Sequence, residues 1–192
     1  MNNYYIPFNF PDYESVRKLL EEKYKDEFNP TELGTKLIEW TPKNFPTTYE
    51  YIESKFKPRK ATVRRARLFY TPGNTELGAH IDGHTILRFE KPTNLYWALN
   101  LPIIIPSGHH TQQWYSYSGK YIKHQDKKYT NGIEPANPEL LLPTESLVLD
   151  KPHFVNVGQI HNVINSSSDP RLVLSLRFES STVFQFMESL KQ

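Results

Sequence analysis

The sequence predicts a mainly β protein with flanking helices, and two observations support that fold class. From residue 61 onward, short runs of β-branched and aromatic residues alternate with turn-forming Gly, Pro, Asn and Asp. Before residue 61, apolar residues recur instead at helical spacing. Many short strands separated by turns are typical of a β-sandwich or a β-barrel.

Two amphipathic helices are predicted in the N-terminal part of the chain. The first covers residues 11–28, with Asp12 as its candidate N-cap, and the second covers residues 47–56. Each helix has one apolar face that is able to pack on a sheet. In the first helix that face consists of Val16, Leu19, Leu20, Tyr24 and Phe28. Between the helices, residues 36–40 are predicted to form an edge strand.

The rest of the chain is predicted to form strands, followed by a short helix at residues 181–191. The predicted strands cover residues 61–70, 77–82, 84–90, 94–105, 110–117, 120–125, 145–150, 153–157, 160–165 and 171–178. At 192 residues and 22.5 kDa the chain has the size of one domain. Within this single domain we expect residues 1–60 to be a helical support, residues 61–178 the β core and residues 179–192 the C-terminal helix.

Composition and charge exclude several classes of function. The formal net charge is +2 and the sequence pI is about 8.6, which is too mild to indicate a nucleic-acid partner. The sequence has no Cys, so it offers neither disulfides nor thiolate metal ligands. Residues 1–7 lack the basic and apolar regions of a signal peptide, and no apolar run approaches the length of a membrane span. We therefore expect a soluble, cytoplasmic protein without a membrane partner.

The segment His80-Ile81-Asp82 and the later His161 contain the candidate metal ligands. In a β-strand, side chains at positions i and i+2 point to the same face, so His80 and Asp82 can reach one ion. His161 lies in a second β-rich run and can supply the third ligand. Two His and one carboxylate form the set that holds Fe(II) by one face and leaves other coordination positions open. This ligand placement narrows the fold to a cupin-like jelly roll, a double-stranded β-helix with the metal at its mouth.

Arg171 lies ten residues after His161, just beyond a turn. Residues 165–170 have a turn-forming composition, so the strands on either side are predicted to form a hairpin that brings Arg171 beside His161. A guanidinium group binds carboxylates in a bidentate manner, so this arrangement indicates a dicarboxylate that also contacts the metal. Arg177, on the same face of the strand, is an alternative carboxylate-binding residue.

The combination of His80, Asp82, His161 and Arg171 resembles the signature of the Fe(II)/2-oxoglutarate-dependent oxygenases. The segment from His161 to Arg171 is most similar to the aspartyl/asparaginyl β-hydroxylase branch of that superfamily. Asp82 is a departure from this branch, because its well-known β-hydroxylases lack the metal-binding carboxylate.

The resemblance implies a jelly-roll oxygenase that uses Fe(II), 2-oxoglutarate as cosubstrate and O₂, and that usually hydroxylates its substrate. The three metal ligands would form the catalytic centre, and Arg171 would bind the distal carboxylate of 2-oxoglutarate. Asn100, on the strand that follows the first ligands, is the candidate contact for the other carboxylate. Tyr70, on the strand before the motif, is a further candidate for cosubstrate binding.

Two other functions stay open at the level of sequence. A cupin-like metal enzyme that does not use 2-oxoglutarate would share the fold and the metal but would not need Arg171. A non-catalytic jelly-roll module that binds a ligand would keep its His and Asp residues only for structure. The substrate is not identified, since a mouth lined by His84, Asn100, His109 and Trp114 suits a small molecule or a peptide.

Overall fold

The computed structural model describes residues 4–9, 12–56, 63–82, 96–123 and 133–178. In that part of the chain the α-helices are α1 (Tyr13–Tyr24) and α2 (Pro46–Phe56). The strands are β1 (Tyr5–Pro7), β2 (Gly34–Ile38), β3 (Val63–Thr71), β4 (Thr75–Glu76), β5 (Trp97–Ile104), β6 (His110–Ser116), β7 (Tyr121–Lys123), β8 (Ile133–Pro135), β9 (Leu142–Leu147), β10 (His153–Asn156), β11 (His161–Asn165) and β12 (Arg171–Phe178). The predicted strand at 84–90, the predicted helix at 181–191 and His84 lie outside the described residues.

Two antiparallel sheets face each other across an apolar interior. The larger sheet has the strand order β1-β10-β5-β12-β3-β2, and the smaller sheet has the order β4-β11-β6-β9. Successive strands alternate between them, since β9 and β11 belong to the smaller sheet and β10 and β12 to the larger. This alternation is the double-stranded β-helix, so the predicted jelly-roll fold is confirmed. The edge strand predicted at residues 36–40 corresponds to β2, which does lie at a sheet edge.

The helices pack on the outer face of the larger sheet through one apolar cluster. This cluster joins Leu20 of α1 and Ile52 of α2 to buried strand residues such as Leu99 and Leu172. Because helices cover one face of the sheet and the smaller sheet covers the other, β5 and β12 are buried along almost their whole length. Of the helices that the structure describes, none is long and apolar enough to cross a membrane.

The first helix differs from its prediction in three details. Asp12 has a φ of 59°, a left-handed conformation in which its side chain makes no capping hydrogen bond, whereas an N-cap residue needs an extended backbone. Asp12 therefore lies at the predicted N-cap position, where its carbonyl oxygen accepts from Val16 N, but its side chain does not cap the helix. Leu19 is 51% exposed, because the buried stripe runs through its neighbour Leu20. Phe28 lies beyond the end of the helix, where its ring stacks on Tyr70.

The observed strands differ from the predicted ones mainly where they are short. β1 and β8 are not among the predicted strands, since three residues are too few to give a recognisable period. β9 begins at Leu142 rather than at residue 145. It accommodates Pro143 because it is an edge strand, where a missing backbone N–H does not interrupt a sheet.

The strands that carry His161 and Arg171 do not pair with each other, so the predicted hairpin is wrong. β11 pairs with β4 and β6, whereas β12 pairs with β3 and β5. Residues 166–170 therefore cross from the smaller sheet to the larger one. His161 and Arg171 consequently reach the interior from opposite sheets.

Asn165, the last residue of β11, holds this crossing together through its buried side-chain amide. Its Nδ2 donates to the carbonyl oxygens of Pro72 and Asp169, each at 2.9 Å. Its Oδ1 accepts from the backbone N–H of Ser167 at 3.3 Å. One side chain thus links the crossing segment to the turn that follows β3.

We expect Asn165→Ala to lower the free energy of unfolding by at least about 2 kcal/mol, because it leaves buried backbone groups without hydrogen bonds. Urea unfolding measures this change. Asn137→Ala, which removes an exposed amide, is the control and should change the value by less than about 0.5 kcal/mol. Equal effects of the two substitutions would contradict the assigned role.

Candidate metal centre

Backbone hydrogen bonds place His80 directly against His161. His80 N donates to His161 O at 2.8 Å, and His161 N donates to His80 O at 2.9 Å. The next residue, Ile81, is bridged to β8, and Asp82 N donates to the Val157 carbonyl oxygen at 3.1 Å. Residues 77–82 are therefore not the regular strand that the sequence predicts, because successive residues bond to different partners. His80 and Asp82 nevertheless point towards one another, while Ile81 is buried in a separate apolar cluster.

Both imidazole rings are oriented by carbonyl groups two residues earlier in the chain. Nδ1 of His80 is 2.8 Å from the Gly78 carbonyl oxygen, and Nδ1 of His161 is 2.9 Å from the Gln159 carbonyl oxygen. A carbonyl oxygen only accepts, so Nδ1 carries the hydrogen in each ring and Nε2 has a lone pair when the ring is neutral. A hydrogen bond of this kind orients a metal-binding imidazole and makes its free nitrogen more basic.

His80, Asp82 and His161 offer ligand atoms that all lie within 4.8 Å of one another. Nε2 of His80 is 3.2 Å from Oδ1 of Asp82, and all three residues are buried. Within the described ranges, this is the one group of three or more acidic or His side chains that is able to hold a metal ion. Two oriented imidazoles and one carboxylate suit a non-haem Fe(II) ion, so the residues present fit the metal that the sequence predicts.

The charge of Asp82 is balanced by Arg177, a mostly buried residue of β12. Nη2 of Arg177 is 2.6 Å from Oδ2 of Asp82. Burial opposes the ionisation of Asp82, but Arg177 and His80 outweigh it and hold the pKa of the carboxyl well below its ordinary value. The carboxyl group is therefore ionised, as a metal ligand must be. Asp82 occupies Nη2 of Arg177, the alternative carboxylate-binding residue of the prediction, whereas its Nη1 has no hydrogen-bond partner among the described residues.

The two imidazoles differ in their affinity for a proton. Burial, together with the charge of His80, lowers the pKa of His161 to about 4, so that its ring is neutral at pH 7. Burial also disfavours a proton on His80, but the hydrogen bond and charge of Asp82 outweigh burial and raise its pKa. A proton and a metal ion therefore compete for Nε2 of His80.

The three candidate ligands line one cavity of about 110 Å³. A single water molecule needs roughly 10–15 Å³ on the same measure, so the cavity has space for a small ligand. Val157, Val163 and Val173 form part of an apolar wall. Such a wall excludes water from the ligands and strengthens the electrostatic interactions inside the cavity.

Arg171 lies in the wall of the same cavity and is 4% exposed. Burial lowers the pKa of its guanidinium to about 10, and no acidic group in the described part of the chain offsets this effect. The group is still charged at pH 7. A buried charge without a partner is costly, so this guanidinium indicates a site for an anion. The structure thus brings Arg171 and the three candidate ligands together in one place.

Two uncharged polar side chains of the cavity wall have atoms with no hydrogen-bond partner among the described residues. These atoms are Oδ1 of Asn100 and Oγ of Ser175. The two residues are paired across β5 and β12, so their side chains project side by side. Asn100 is a predicted cosubstrate contact, whereas Ser175 is not predicted. The position of Ser175 in the wall is predictable from strand parity, because Ser175 follows Arg171 by four residues and lies on the same face of β12.

Two aromatic residues named in the sequence analysis lie in different surroundings. Tyr70 borders the cavity, but its ring stacks on Phe28 at 5.0 Å in the cluster beneath the helices. Trp114 is fully buried between the sheets, where its Nε1 donates to a backbone carbonyl of β10. The prediction that Trp114 lines a substrate-binding mouth is therefore wrong.

The chain is similar in fold to several enzymes of known structure. It aligns with the non-haem α-ketoglutarate-dependent carbocyclase SnoK from nogalamycin biosynthesis at a TM-score of 0.54 and 9% identity, over 91% of this chain and 78% of that one. It aligns with the epimerase SnoN, solved with Fe3+, α-ketoglutarate and nogalamycin RO, at a TM-score of 0.53 and 10% identity, over 92% and 78%. A third match is HygX from Streptomyces hygroscopicus, solved with nickel and 2-oxoglutarate, at a TM-score of 0.51 and 10% identity, over 91% and 81%.

No family model and no curated protein matches the sequence. At these low identities, the likeness to solved structures establishes the fold alone. The chain therefore shares the double-stranded β-helix with these enzymes, and its chemistry depends on its own residues.

We expect His161→Ala to weaken Fe(II) binding by more than about 100-fold, because removing a metal ligand lowers the affinity more than removing a residue that only hydrogen-bonds to a ligand. Anaerobic equilibrium dialysis measures the binding. His153→Ala is a matched control, since His153 is also buried and its Nδ1 contacts the carbonyl oxygen two residues earlier. It lies outside the candidate centre, so its substitution should leave Fe(II) binding within a few-fold of wild type. Strong Fe(II) binding by His161→Ala would exclude this ligand set.

Proposed function

We propose that this protein is a non-haem Fe(II)/2-oxoglutarate-dependent oxygenase. His80, Asp82 and His161 would hold the metal, and Arg171 would bind the distal carboxylate of 2-oxoglutarate. One observation carries the proposal: the buried guanidinium of Arg171 has no charged partner in the described part of the chain, and it shares a cavity with the three candidate ligands.

A dicarboxylate satisfies the guanidinium and the metal together. One carboxylate pairs with the planar fork of Arg171, and the other end must present oxygen atoms to the metal. 2-Oxoglutarate meets both requirements, and the α-ketoglutarate and 2-oxoglutarate complexes of SnoN and HygX support this choice. A cupin-like enzyme that does not use 2-oxoglutarate would leave the Arg171 charge without a function.

The residues of the cavity would orient the cosubstrate and keep water away. When bound, Fe(II), 2-oxoglutarate and O₂ supply an oxidant for an unactivated C–H bond, with succinate and CO₂ formed from the cosubstrate. Arg171 fixes one end of the cosubstrate, while Asn100 and Ser175 offer hydrogen bonds along the wall. Tyr70 stays a predicted contact at the cavity border. The valine side chains of the wall exclude water that would compete for the open coordination positions.

Hydroxylation of a small molecule or a peptide is the reaction that we propose. The ten-residue offset from His161 to Arg171 supports a relationship to the aspartyl/asparaginyl β-hydroxylases, from which Asp82 sets this chain apart. Enzymes of similar fold include a carbocyclase and an epimerase, so the fold does not determine the outcome of the reaction.

Anaerobic titration of the metal-free protein with Fe(II) and then 2-oxoglutarate tests the proposed function. The expected result is a weak visible charge-transfer band from the chelated keto acid, which should be absent in His161→Ala. Bound iron without a band would favour a metal enzyme that does not use 2-oxoglutarate. Absence of bound iron would favour a non-catalytic ligand-binding module.

We expect Arg171→Gln to weaken 2-oxoglutarate binding by about 2–5 kcal/mol, as for a buried charge pair, which is at least roughly 30-fold. Titration of the charge-transfer band measures this affinity, and Fe(II) binding should be retained. Arg65→Gln is the control, because Arg65 is an exposed residue of β3. If Arg171→Gln binds 2-oxoglutarate with the affinity of the wild-type protein, the role assigned to Arg171 is refuted.

A further inference from the structure

The two oxygen atoms of Asp82 have different partners. Oδ1 is 3.2 Å from Nε2 of His80, on the side of the candidate metal centre. Oδ2 is 2.6 Å from Nη2 of Arg177, which is the short distance of a charge-assisted hydrogen bond. A carboxylate without such a partner is able to bind a metal through one oxygen or through both.

Arg177 is itself held firmly. Its guanidinium carbon lies 5.7 Å from the ring centre of Phe69 and 5.8 Å from that of Tyr96, within the range of cation–π contacts. Its backbone lies in β12, which is hydrogen-bonded on both sides by β3 and β5. The guanidinium therefore has contacts of its own besides Asp82, although its Nη1 has no hydrogen-bond partner among the described residues.

We infer that Arg177 is a positioning residue that reserves Oδ2 of Asp82, so that this carboxylate offers the metal Oδ1 alone. The inference rests on the metal centre of the proposed function. A six-coordinate metal with three protein ligand atoms has three positions left. A second oxygen from Asp82 would take one of these, so Arg177 determines how many positions stay open for the cosubstrate and O₂.

A purely structural ion pair would have a different signature. It would stabilise the fold, but its loss would not change the number of open positions on a bound metal. Arg65 lies directly opposite Arg177 in the register of β3 and β12 and is exposed. Substitution of Arg65 removes a positive charge from the adjacent position without touching Asp82, so it is a matched control.

Mn(II) bound to the metal-free protein is the probe, and water-proton relaxation is the measurement, because it reports the water molecules that occupy open positions. In Arg177→Met we expect Mn(II) to bind, with the relaxation enhancement per bound ion reduced by about one third, since one of three positions is lost. Arg177→Lys keeps a cationic donor for Oδ2, and we expect it to recover most of the wild-type enhancement. Arg65→Met should match wild type.

Thermal unfolding of each variant is measured as well, to show whether the variant is folded. If Arg177→Met does not fold, Arg177→Gln is the second variant, because its amide is two bonds shorter than the guanidinium and we expect the same reduction. A wild-type enhancement in a folded Arg177→Met or Arg177→Gln would overturn this inference and leave the metal centre in place. A wild-type protein that binds no Mn(II) would overturn the metal centre, and the inference with it.

Discussion

The crossing from β11 to β12 is the constraint on which the rest of the site depends. Because the chain changes sheets between residues 166 and 170, His161 and Arg171 enter one cavity from opposite walls although ten residues separate them. The crossing is tight, since Asn165 ties it to the turn after β3, and a Cβ at Gly73 would lie 2.1 Å from the Ser168 carbonyl oxygen. A looser connection would leave the spacing between the Arg171 guanidinium and the candidate metal ligands undetermined.

Buried charge is the second feature that shapes the cavity. Asp82 and Arg177 compensate each other inside the protein, whereas Arg171 has no such partner in the chain's described part. An uncompensated buried charge lowers the stability of the fold. A dianionic ligand would remove that penalty, and since it binds the folded state alone, its binding would stabilise the protein. Unfavourable burial in the free protein and the proposed recognition of an anion would therefore both follow from the same residue.

The sequence predicts residues whose relationships are local, but not those that depend on contacts between distant segments. His80 and Asp82 are predictable because side chains two residues apart share a side in any extended segment, whether or not it is a regular strand. The pairing of β11 is not predictable, because turn composition indicates that a strand ends but not which sheet the next strand joins. The contact between Asp82 and Arg177 joins residues far apart in sequence, and no periodicity reports such a contact.

Arg171 and Arg177 illustrate why the partner of a residue decides its role more than its position in a strand. Both are arginines of β12, both line the cavity, and both lie on the same face. Six residues of strand span about 20 Å, so the two side chains start from distant points of the cavity wall. The guanidinium of Arg177 pairs with the carboxylate of Asp82 and can orient that carboxylate towards a metal. Arg171 has none among the residues described, so in the proposed function its charge is available to a ligand, and the same side-chain chemistry would serve recognition instead of positioning.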